Sequence, residues 1–264
     1  MADIIFETSG PIARLTFNKP DKANALDPAW LPSIAEFFGD VDANPEVRCV
    51  VVRSNGKHFM AGGDLGTVEE AMKLPPHRKA ALVSAPIHVY NLLAQTMQRL
   101  GKPIIASVQG AVAGAAVGLV AACDLVIAAD TAFFFVPHSL HGGSVDGLTT
   151  YFLPRQIGTR KTLELALLGD RIAAPEAQRL GLVNFVVPAG ELEAETAKLA
   201  ERLANGPTRA YALIRHQVMQ SLNNTIEQQG SLEAESYGLA AQTQDWSEGI
   251  RSFLDKRKAK FTGR

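Results

Sequence analysis

Short apolar runs rich in Val, Ile and Phe recur along the front part of the chain, separated by stretches with helical spacing. Runs of this kind bounded by polar residues or Gly are typical of buried β-strands. Strands are predicted at 12–17, 47–52, 104–108, 125–128, 133–136 and 183–187. Helices are predicted at 28–38 and 87–100, the second with Leu92, Leu93, Met97 and Leu100 on one face. This alternation indicates an α/β fold class.

Helical spacing dominates after residue 161. Helices are predicted at 162–168, 174–180, 191–204, 207–221 and 226–246. Because only the strand at 183–187 interrupts these helices, the chain is predicted to divide into an α/β region, 1–195, and an all-helical region, 196–264.

The segment 65–86 mixes charges of both signs and contains Pro75 and Pro76. Long connections between regular elements often cover binding sites, so a mobile helix and loop over a site is predicted here. The alternative is an ordinary solvated connection.

The composition indicates a globular protein. Of the 264 residues, 47% are hydrophobic and 20% are charged, which excludes a disordered or fibrous chain. The 26 Lys and Arg residues nearly balance the 27 Asp and Glu residues, giving a formal net charge of -1. Such a chain has no broad basic field for a nucleic-acid backbone, so no nucleic-acid partner is expected.

Three features favour a cytoplasmic protein that does not enter a membrane. The first residues lack a basic segment before their apolar run, so they do not resemble a signal peptide. The longest apolar run, 110–123, has the length of a buried core helix rather than of a membrane span. The two cysteines, Cys49 and Cys123, have no CxxC spacing and are typical of reduced core thiols.

Two glycine-containing turns each lie between a predicted strand and a helical stretch. The first is FMAGGDL at 59–65, where small residues let backbone N–H groups approach a ligand closely. The second contains Gly110, Gly114 and Gly118, whose spacing of four would place them on one helix face. Neither matches a GxGxxG or a GxxxxGK[ST] nucleotide fingerprint.

Taken together, motifs spread over the whole chain are similar to those of one known family. The motifs are NKP at 18–20, NAL at 24–26, FMAGGDL at 59–65, the run 110–125, LLGD at 167–170, Ala177, GLV at 181–183, VP at 187–188 and GIRSFLDKRK at 249–258. In this order and spacing they resemble the enoyl-CoA hydratase/isomerase family, also called crotonases.

The resemblance implies a fold and a shared chemistry. The region 1–195 would form a spiral of ββα units that binds acyl-CoA, and 196–264 a helical domain that builds a homotrimer or a dimer of trimers. The substrates would be acyl-CoA thioesters, with coenzyme A as part of the substrate and no other cofactor. The backbone N–H groups of Gly63 and Ala115 would form an oxyanion hole for the thioester oxygen.

For the coenzyme, the resemblance implies Lys22 and Ala23 near the phosphates, and Ala61 and Gly63 near adenine and pantetheine. Phe253 and Lys256 would reach the coenzyme from a neighbouring subunit. The tail 251–264, which has six basic residues beside Asp255, would suit an anionic nucleotide. Its alternative role is that of a solubilising terminus.

The chain departs from the hydratase pattern at two positions. Family hydratases use two glutamates to handle water and a proton, and counting from the glycine turn places them at Gly118 and His138. General acid–base catalysis typically supplies about 10²–10⁴-fold, so efficient hydration is not expected without this pair.

Asp146, in GSVDG at 143–147, matches in an ungapped alignment the aspartate that family isomerases use as their base, including the bacterial isomerase of the phenylacetate ring-epoxide pathway. One carboxylate is enough to move a proton between two carbons of an enolate. The alternative is that Asp146 only caps the following helix.

His138 is a candidate auxiliary acid or base, because an imidazole titrates near neutral pH. With His141 it forms an HxxH spacing, but no further ligand cluster accompanies it, so no metal site is expected. An enoyl-CoA isomerase with Asp146 as base is therefore the leading hypothesis. The alternatives are an atypical hydratase using His138 and Asp146, and a CoA-thioester-binding protein with little catalysis.

Overall fold

A computed structural model describes residues 2–63 and 65–264, and its strands form two sheets. The strands are β1 (Ile4–Ser9), β2 (Ile12–Phe17), β3 (Cys49–Ser54), β4 (Ile104–Val108), β5 (Ala111–Ala113), β6 (Leu125–Ala129), β7 (Phe133–Phe135), β8 (Ile172–Ala173) and β9 (Phe185–Val187). The larger sheet has the order β1-β2-β3-β4-β6-β9 and is parallel except for the β1–β2 hairpin. The smaller sheet has the order β5-β7-β8.

Helices cover both faces of the larger sheet and form the C-terminal region. They are α1 (Leu31–Ala43), α2 (Leu65–Met72), α3 (Pro76–Arg99), α4 (Ala115–Ala121), α5 (Thr149–Ile157), α6 (Thr159–Leu168), α7 (Ala174–Leu180), α8 (Leu192–Ala204), α9 (Thr208–Ser221), α10 (Ile226–Ala241) and α11 (Gln244–Leu254). The expected α/β architecture with a helical C-terminal region is confirmed.

In the described part of the chain, no helix combines the length and apolar character needed to cross a membrane. The cytoplasmic location stays a prediction.

The inner strands β2, β3, β4 and β6 of the larger sheet are buried on both faces, between which successive side chains alternate. Leu15, Phe17 and Val52 belong to the main core, with side chains from α1, α3 and α4. Their neighbours Ile12 and Val51 face the opposite way. They form a smaller core with Leu192, Ala200 and Ala204 of α8. The β-branched runs that predicted these strands are therefore explained by burial on two sides.

The predicted division between 1–195 and 196–264 stays a prediction. Residues 195 and 196 both lie within α8, which packs on the larger sheet. The helices that follow α8 are the part of the chain with no strand among them.

The prediction of one helix over 110–123 is wrong. The first residues of this run form β5, Gly114 makes the turn, and only 115–121 are helical. Gly110 and Gly114 have φ of 57° and 60°, a left-handed region that favours glycine, so they do not share a helix face with Gly118. The run misleads because a short apolar strand and a buried helix have the same polarity pattern.

Other predicted boundaries also require correction. The segment 65–86 consists of α2 and the first half of α3, which continues through Pro86. Leu92 does not share the buried face of α3, since it is 61% exposed. The predicted helix 226–246 is broken at Thr243, whose hydroxyl accepts from the Trp246 N–H and begins α11. Strands β1, β5 and β8 were not predicted.

Both cysteines are free thiols in the core. Cys49 lies in β3 and Cys123 follows α4, and both are buried. Burial raises the pKa of Cys49 to about 12 and also raises the pKa of Cys123. The thiols are therefore poor nucleophiles at neutral pH, as the sequence predicted for core cysteines.

Arg215 of α9 joins the C-terminal helices to the sheet through a buried ion pair. Its Nε donates to Asp124 Oδ1 at 2.6 Å, and its remaining nitrogens donate to the carbonyls of Met97 and Leu100. The other carboxylate oxygen of Asp124 accepts from the Ile104 N–H at 2.7 Å. Burial raises the pKa of the Asp124 carboxyl, and Arg215 opposes that shift.

Replacing Arg215 with methionine is expected to lower the free energy of unfolding by about 3–5 kcal/mol at pH 7, because Asp124 would remain buried without a partner. Without Arg215, the native pKa of Asp124 should lie further above its unfolded value. Stability then falls as pH rises through that interval, so the loss should be smaller at pH 5 than at pH 7.

Urea unfolding at one protein concentration measures both values. Arg179→Met is the control, because Arg179 forms an exposed ion pair with Glu176 and its loss should change stability little. An Arg215→Met protein as stable as this control would contradict the prediction.

Candidate active site

A cavity of about 530 Å³ lies between the two glycine-containing turns, α3 and the turn before α5. Five residues predicted from the sequence line it: Ala61, Gly63, Ala115, His138 and Asp146. Most of the remaining wall is apolar and comes from 25–31 and from α3. These apolar residues include Leu26, Leu31, Val83, Pro86 and Ile87. The structure therefore brings the candidate backbone donors and the candidate base to one cavity.

The two glycine turns are held side by side by hydrogen bonds of the β type. Met60 N–H donates to the carbonyl of Ala111 at 3.0 Å, and Ala113 N–H donates to the carbonyl of Met60 at 3.0 Å. Gly63 and Ala115, a few residues further along each segment, therefore reach the same wall. No acceptor for the N–H of Gly63 or of Ala115 is found among the described residues. The two N–H groups are available to a ligand oxygen in the cavity.

The turn at Lys22 and Ala23 lies against the first glycine turn but does not line the cavity. Ala61 N–H donates to the carbonyl of Ala23 at 3.0 Å. Asn24 is fully buried and has a φ of 53°. Its side-chain amide donates to the carbonyls of Asn55 and His58 at 2.9 and 2.8 Å, which fixes the turn.

Asp146 and His138 form a hydrogen-bonded pair at the cavity wall. His138 Nε2 lies 3.0 Å from Asp146 Oδ1, and the side chains are 16% and 27% exposed. The alternative that Asp146 caps the next helix is wrong, because α5 begins at Thr149 after Leu148 and has no side-chain cap. Only the backbone carbonyl of Asp146 accepts from the Thr149 N–H, at 3.2 Å. The carboxylate is therefore held by His138 and faces the cavity.

Tyr90 of α3 is a cavity residue that the sequence did not single out. It is 3% exposed, and its hydroxyl donates to the carbonyl of Ala115 at 2.7 Å. Burial raises the pKa of Tyr90 well above its usual value, and the nearby charge of Asp146 adds to the shift. The hydroxyl therefore remains a donor at neutral pH. Its spacing from Leu93 and Met97 could have identified it, because a buried tyrosine usually has a hydroxyl partner.

Gly118 leaves no room for the first hydratase glutamate. A Cβ atom at this position would overlap the carbonyl oxygen of Gly147 and lie 2.8 Å from the Thr149 hydroxyl. The turn that carries Asp146 therefore fills the volume that a side chain at 118 would need. The second glutamate position is filled by His138.

The segment 65–86 and His141 both contribute residues to the cavity wall. Val68 of α2 and Val83 of α3 line the wall, so the segment 65–86 does lie over the site. His141 lines it as well, but the described residues contain no group of three His, Cys, Asp or Glu side chains that could hold a metal ion. The mobility of the segment stays a prediction.

The C-terminal residues predicted to bind the coenzyme do not line the cavity. Phe253 is 81% exposed, and Lys256 follows α11 with a φ of 54°. Part of the positive charge of the tail is already paired, since Arg257 donates to Glu248 at 2.7 and 2.9 Å. This pairing lowers the pKa of Glu248 to about 2. Arg264 forms a further ion pair with Glu46 at 3.1 Å.

Comparison with known proteins agrees with the family that the sequence motifs resemble. A model of the enoyl-CoA hydratase/isomerase family matches residues 7–264. A Rhodobacter capsulatus protein named probable enoyl-CoA hydratase is 34% identical over 99% of this chain and 98% of its own length. The 1,2-epoxyphenylacetyl-CoA isomerase of Escherichia coli is 32% identical, with both chains fully covered. The crystal structure of an enoyl-CoA hydratase from a Polaromonas species has a TM-score of 0.91 and 32% identity, covering 98% of this chain and 99% of that one.

The chain therefore belongs to the enoyl-CoA hydratase/isomerase family, and the resemblance of its motifs is confirmed. It has the crotonase fold and is an enzyme of a family that acts on acyl-CoA thioesters. Relatives named hydratase and isomerase are similarly close to it. Both reactions are therefore represented among its relatives.

The contact at Gly118 generates a prediction. Gly118→Ala is expected to destabilise the protein by about 1–3 kcal/mol, since the new methyl group overlaps the Gly147 carbonyl. It should also lower turnover, because relief of the overlap moves the turn that carries Asp146. Thermal unfolding and turnover measurements on an enoyl-CoA substrate test both effects.

Gly39→Ala in α1 is a matched control, because a Cβ there meets no atom within 4 Å. It should increase stability slightly through the higher helix propensity of alanine. Equal stability of the two variants would show that the 147 turn does not constrain residue 118.

Proposed function

We propose that the protein is an enoyl-CoA isomerase that shifts a double bond, or rearranges a related CoA thioester, through an enolate. The thioester oxygen would accept hydrogen bonds from the N–H groups of Gly63 and Ala115. The Asp146 carboxylate would remove a proton from one carbon of the acyl group and return it to another.

The position of Asp146 is the observation that carries this proposal. Among the described residues that line the cavity, it is the only carboxylate, and the cavity wall also holds the two candidate N–H donors. A single base near a stabilised enolate is sufficient for a 1,3 proton transfer, in which no water is added. The same aspartate position is used by family isomerases.

The backbone donors support the first half of the reaction. The N–H groups of Gly63 and Ala115 have no partner among the described residues, and both lie in turns fixed by neighbouring strands. Donors fixed before charge develops stabilise the transition state, and losing one typically costs about 10²–10³-fold in rate. These donors would stabilise the enolate oxygen more than the oxygen of the neutral thioester.

His138 would orient the base. Its Nε2 lies 3.0 Å from Asp146 Oδ1, so one carboxylate oxygen is held and the other remains available to a substrate proton. An imidazole beside the base could also exchange the proton during its transfer between two carbons. His138 is therefore proposed as an auxiliary group and Asp146 as the base.

The coenzyme would enter past the first glycine turn. Ala61 and Gly63 line the cavity, and the Ala61 N–H contact brings the turn at Lys22 and Ala23 against the same edge. These residues would bind the pantetheine, the adenine and the phosphates. Phe253 and Lys256 do not line the cavity of their own chain and would contribute from a neighbouring subunit.

A homotrimer or a dimer of trimers is the proposed assembly. The C-terminal helices expose large apolar side chains, among them Val218, Ile226, Tyr237 and Phe253. Extended apolar surface of this kind marks contact with another protein. Light scattering coupled to size-exclusion chromatography should therefore give a mass of three or six chains of 28.3 kDa, and a monomer would contradict the proposal.

An atypical hydratase is the second candidate. The His138–Asp146 pair could position a water molecule, and one close relative is named a hydratase. Against it, the glycine at 118 and the Gly147 carbonyl leave no place for the first glutamate. The isomerase is therefore preferred.

The Asp146→Asn variant tests the proposal. Isomerisation of a panel of 3-enoyl, dienoyl and aryl-CoA substrates should fall about 10²–10⁴-fold in kcat, because the amide cannot accept the proton. KM should change little, since the donors and the coenzyme site remain. Asp40→Asn, an exposed α1 residue without a side-chain hydrogen bond among the described residues, should retain full activity.

Three other outcomes identify alternatives. Unchanged isomerisation by Asp146→Asn would refute the role of the base. Rapid addition of water to crotonyl-CoA that is abolished by His138→Ala would establish the hydratase. Tight binding of CoA esters with no exchange of substrate protons in heavy water would favour a binding protein with little catalysis.

A further inference from the structure

We propose that Tyr90 is a positioning residue, which fixes the proposed oxyanion donor Ala115 relative to the turn that carries Asp146. The inference rests on the proposed function, because it assigns Tyr90 a role toward two of its groups. Tyr90 itself comes from α3, an element that contributes neither the donors nor the base.

The first contact is a hydrogen bond to the backbone of the donor residue. The Tyr90 hydroxyl donates to the Ala115 carbonyl at 2.7 Å. Ala115 is the first residue of α4, and a carbonyl oxygen has a second lone pair for the helical hydrogen bond that it also makes. The bond therefore restrains the residue at the start of the helix, which lines the cavity.

The second contact is with the turn of the base. A Cβ atom on Gly147 would lie 2.9 Å from Tyr90 Cε1 and 3.0 Å from the Ala115 Cβ. The tyrosine ring, the donor residue and the backbone next to Asp146 thus meet with no space between them. Gly147 has a φ of 64°, so glycine is favoured there for conformation as well as for space.

These contacts bear on catalysis, because an N–H donor stabilises developing charge only if it is already fixed in the right position. An oxyanion hole stabilises charge only when its N–H groups lie within about 2.7–3.1 Å of the place where the charge develops. Tyr90 contacts both Ala115 and the turn that carries Asp146, and these contacts fix the position of Ala115 relative to Asp146. Tyr90 is 3% exposed, so its ring has little freedom to move. Its hydroxyl stays protonated at neutral pH, since burial raises the pKa of Tyr90.

Tyr90→Phe keeps the ring and removes the hydroxyl. With a 3-enoyl-CoA substrate, kcat should fall about threefold to tenfold, the net effect of one hydrogen bond, while KM stays within about twofold. Exchange of the substrate α-proton in heavy water should slow by the same factor, because the loss is in enolate stabilisation. Tyr151→Phe on α5 is the control, since no hydroxyl hydrogen bond of Tyr151 is found in the described structure. Its kcat should equal that of the wild type.

Each outcome distinguishes this inference from the proposed function. If the Asp146→Asn variant is inactive and the Tyr90→Phe variant is fully active, only the role of Tyr90 is overturned. Asp146→Asn fully active would refute the proposed base, and the positioning of that base with it. A Tyr90→Phe protein that unfolds, or that loses thermal stability with unchanged kcat and exchange, would show a purely structural role and would also overturn the inference.

Discussion

The turn from Asp146 to Thr149 packs against α4 at a position where only glycine fits, and the candidate site depends on this contact. Because Gly118 has no side chain, the carbonyl of Gly147 occupies the space beside the helix. Asp146 is thereby brought to the wall that Gly63 and Ala115 also form. A side chain at 118 and this turn cannot occupy the same volume. The packing that brings Asp146 to the cavity wall is therefore also the packing that excludes a glutamate side chain at position 118 of α4.

Strand pairing supplies the other half of the site. The hydrogen bonds between Met60 and the strand 111–113 fix the relative height of two backbone segments that are far apart in sequence. Their N–H groups need no particular side chain, which explains why small residues are sufficient at these turns. Two side-chain contacts lie near them: His138 Nε2 pairs with the Asp146 carboxylate, and the Tyr90 hydroxyl donates to the Ala115 carbonyl. In a mainly apolar cavity, such contacts are stronger than they would be in water.

The sequence predicted five of the six strands of the larger sheet, because burial on both faces selects continuous apolar runs, and it missed β1, which is mostly exposed. It failed where one polarity pattern serves two structures, as in 110–123, which is part strand and part helix. It also failed on α3, where Leu92 is exposed and Tyr90 is buried. Helical spacing defines a face only to within one residue, and tertiary contacts decide which neighbour faces the core. The alternative that Asp146 caps α5 is wrong for a related reason, since Gly147 and Leu148 turn the chain before α5 begins.

The sequence by itself determined the family, the α/β order of elements and the residues that could serve as donors and base. Motif spacing carries this information because the backbone turns need glycine or alanine at fixed places. Only the tertiary structure decided that the Asp146 carboxylate pairs with His138 and does not cap a helix. It also decided that the Gly147 carbonyl occupies the space beside Gly118, and that Tyr90 contacts both Ala115 and the turn that carries Asp146. These contacts join residues 8 to 57 positions apart in the sequence, and no local pattern encodes which atoms meet, since packing of the whole core fixes them.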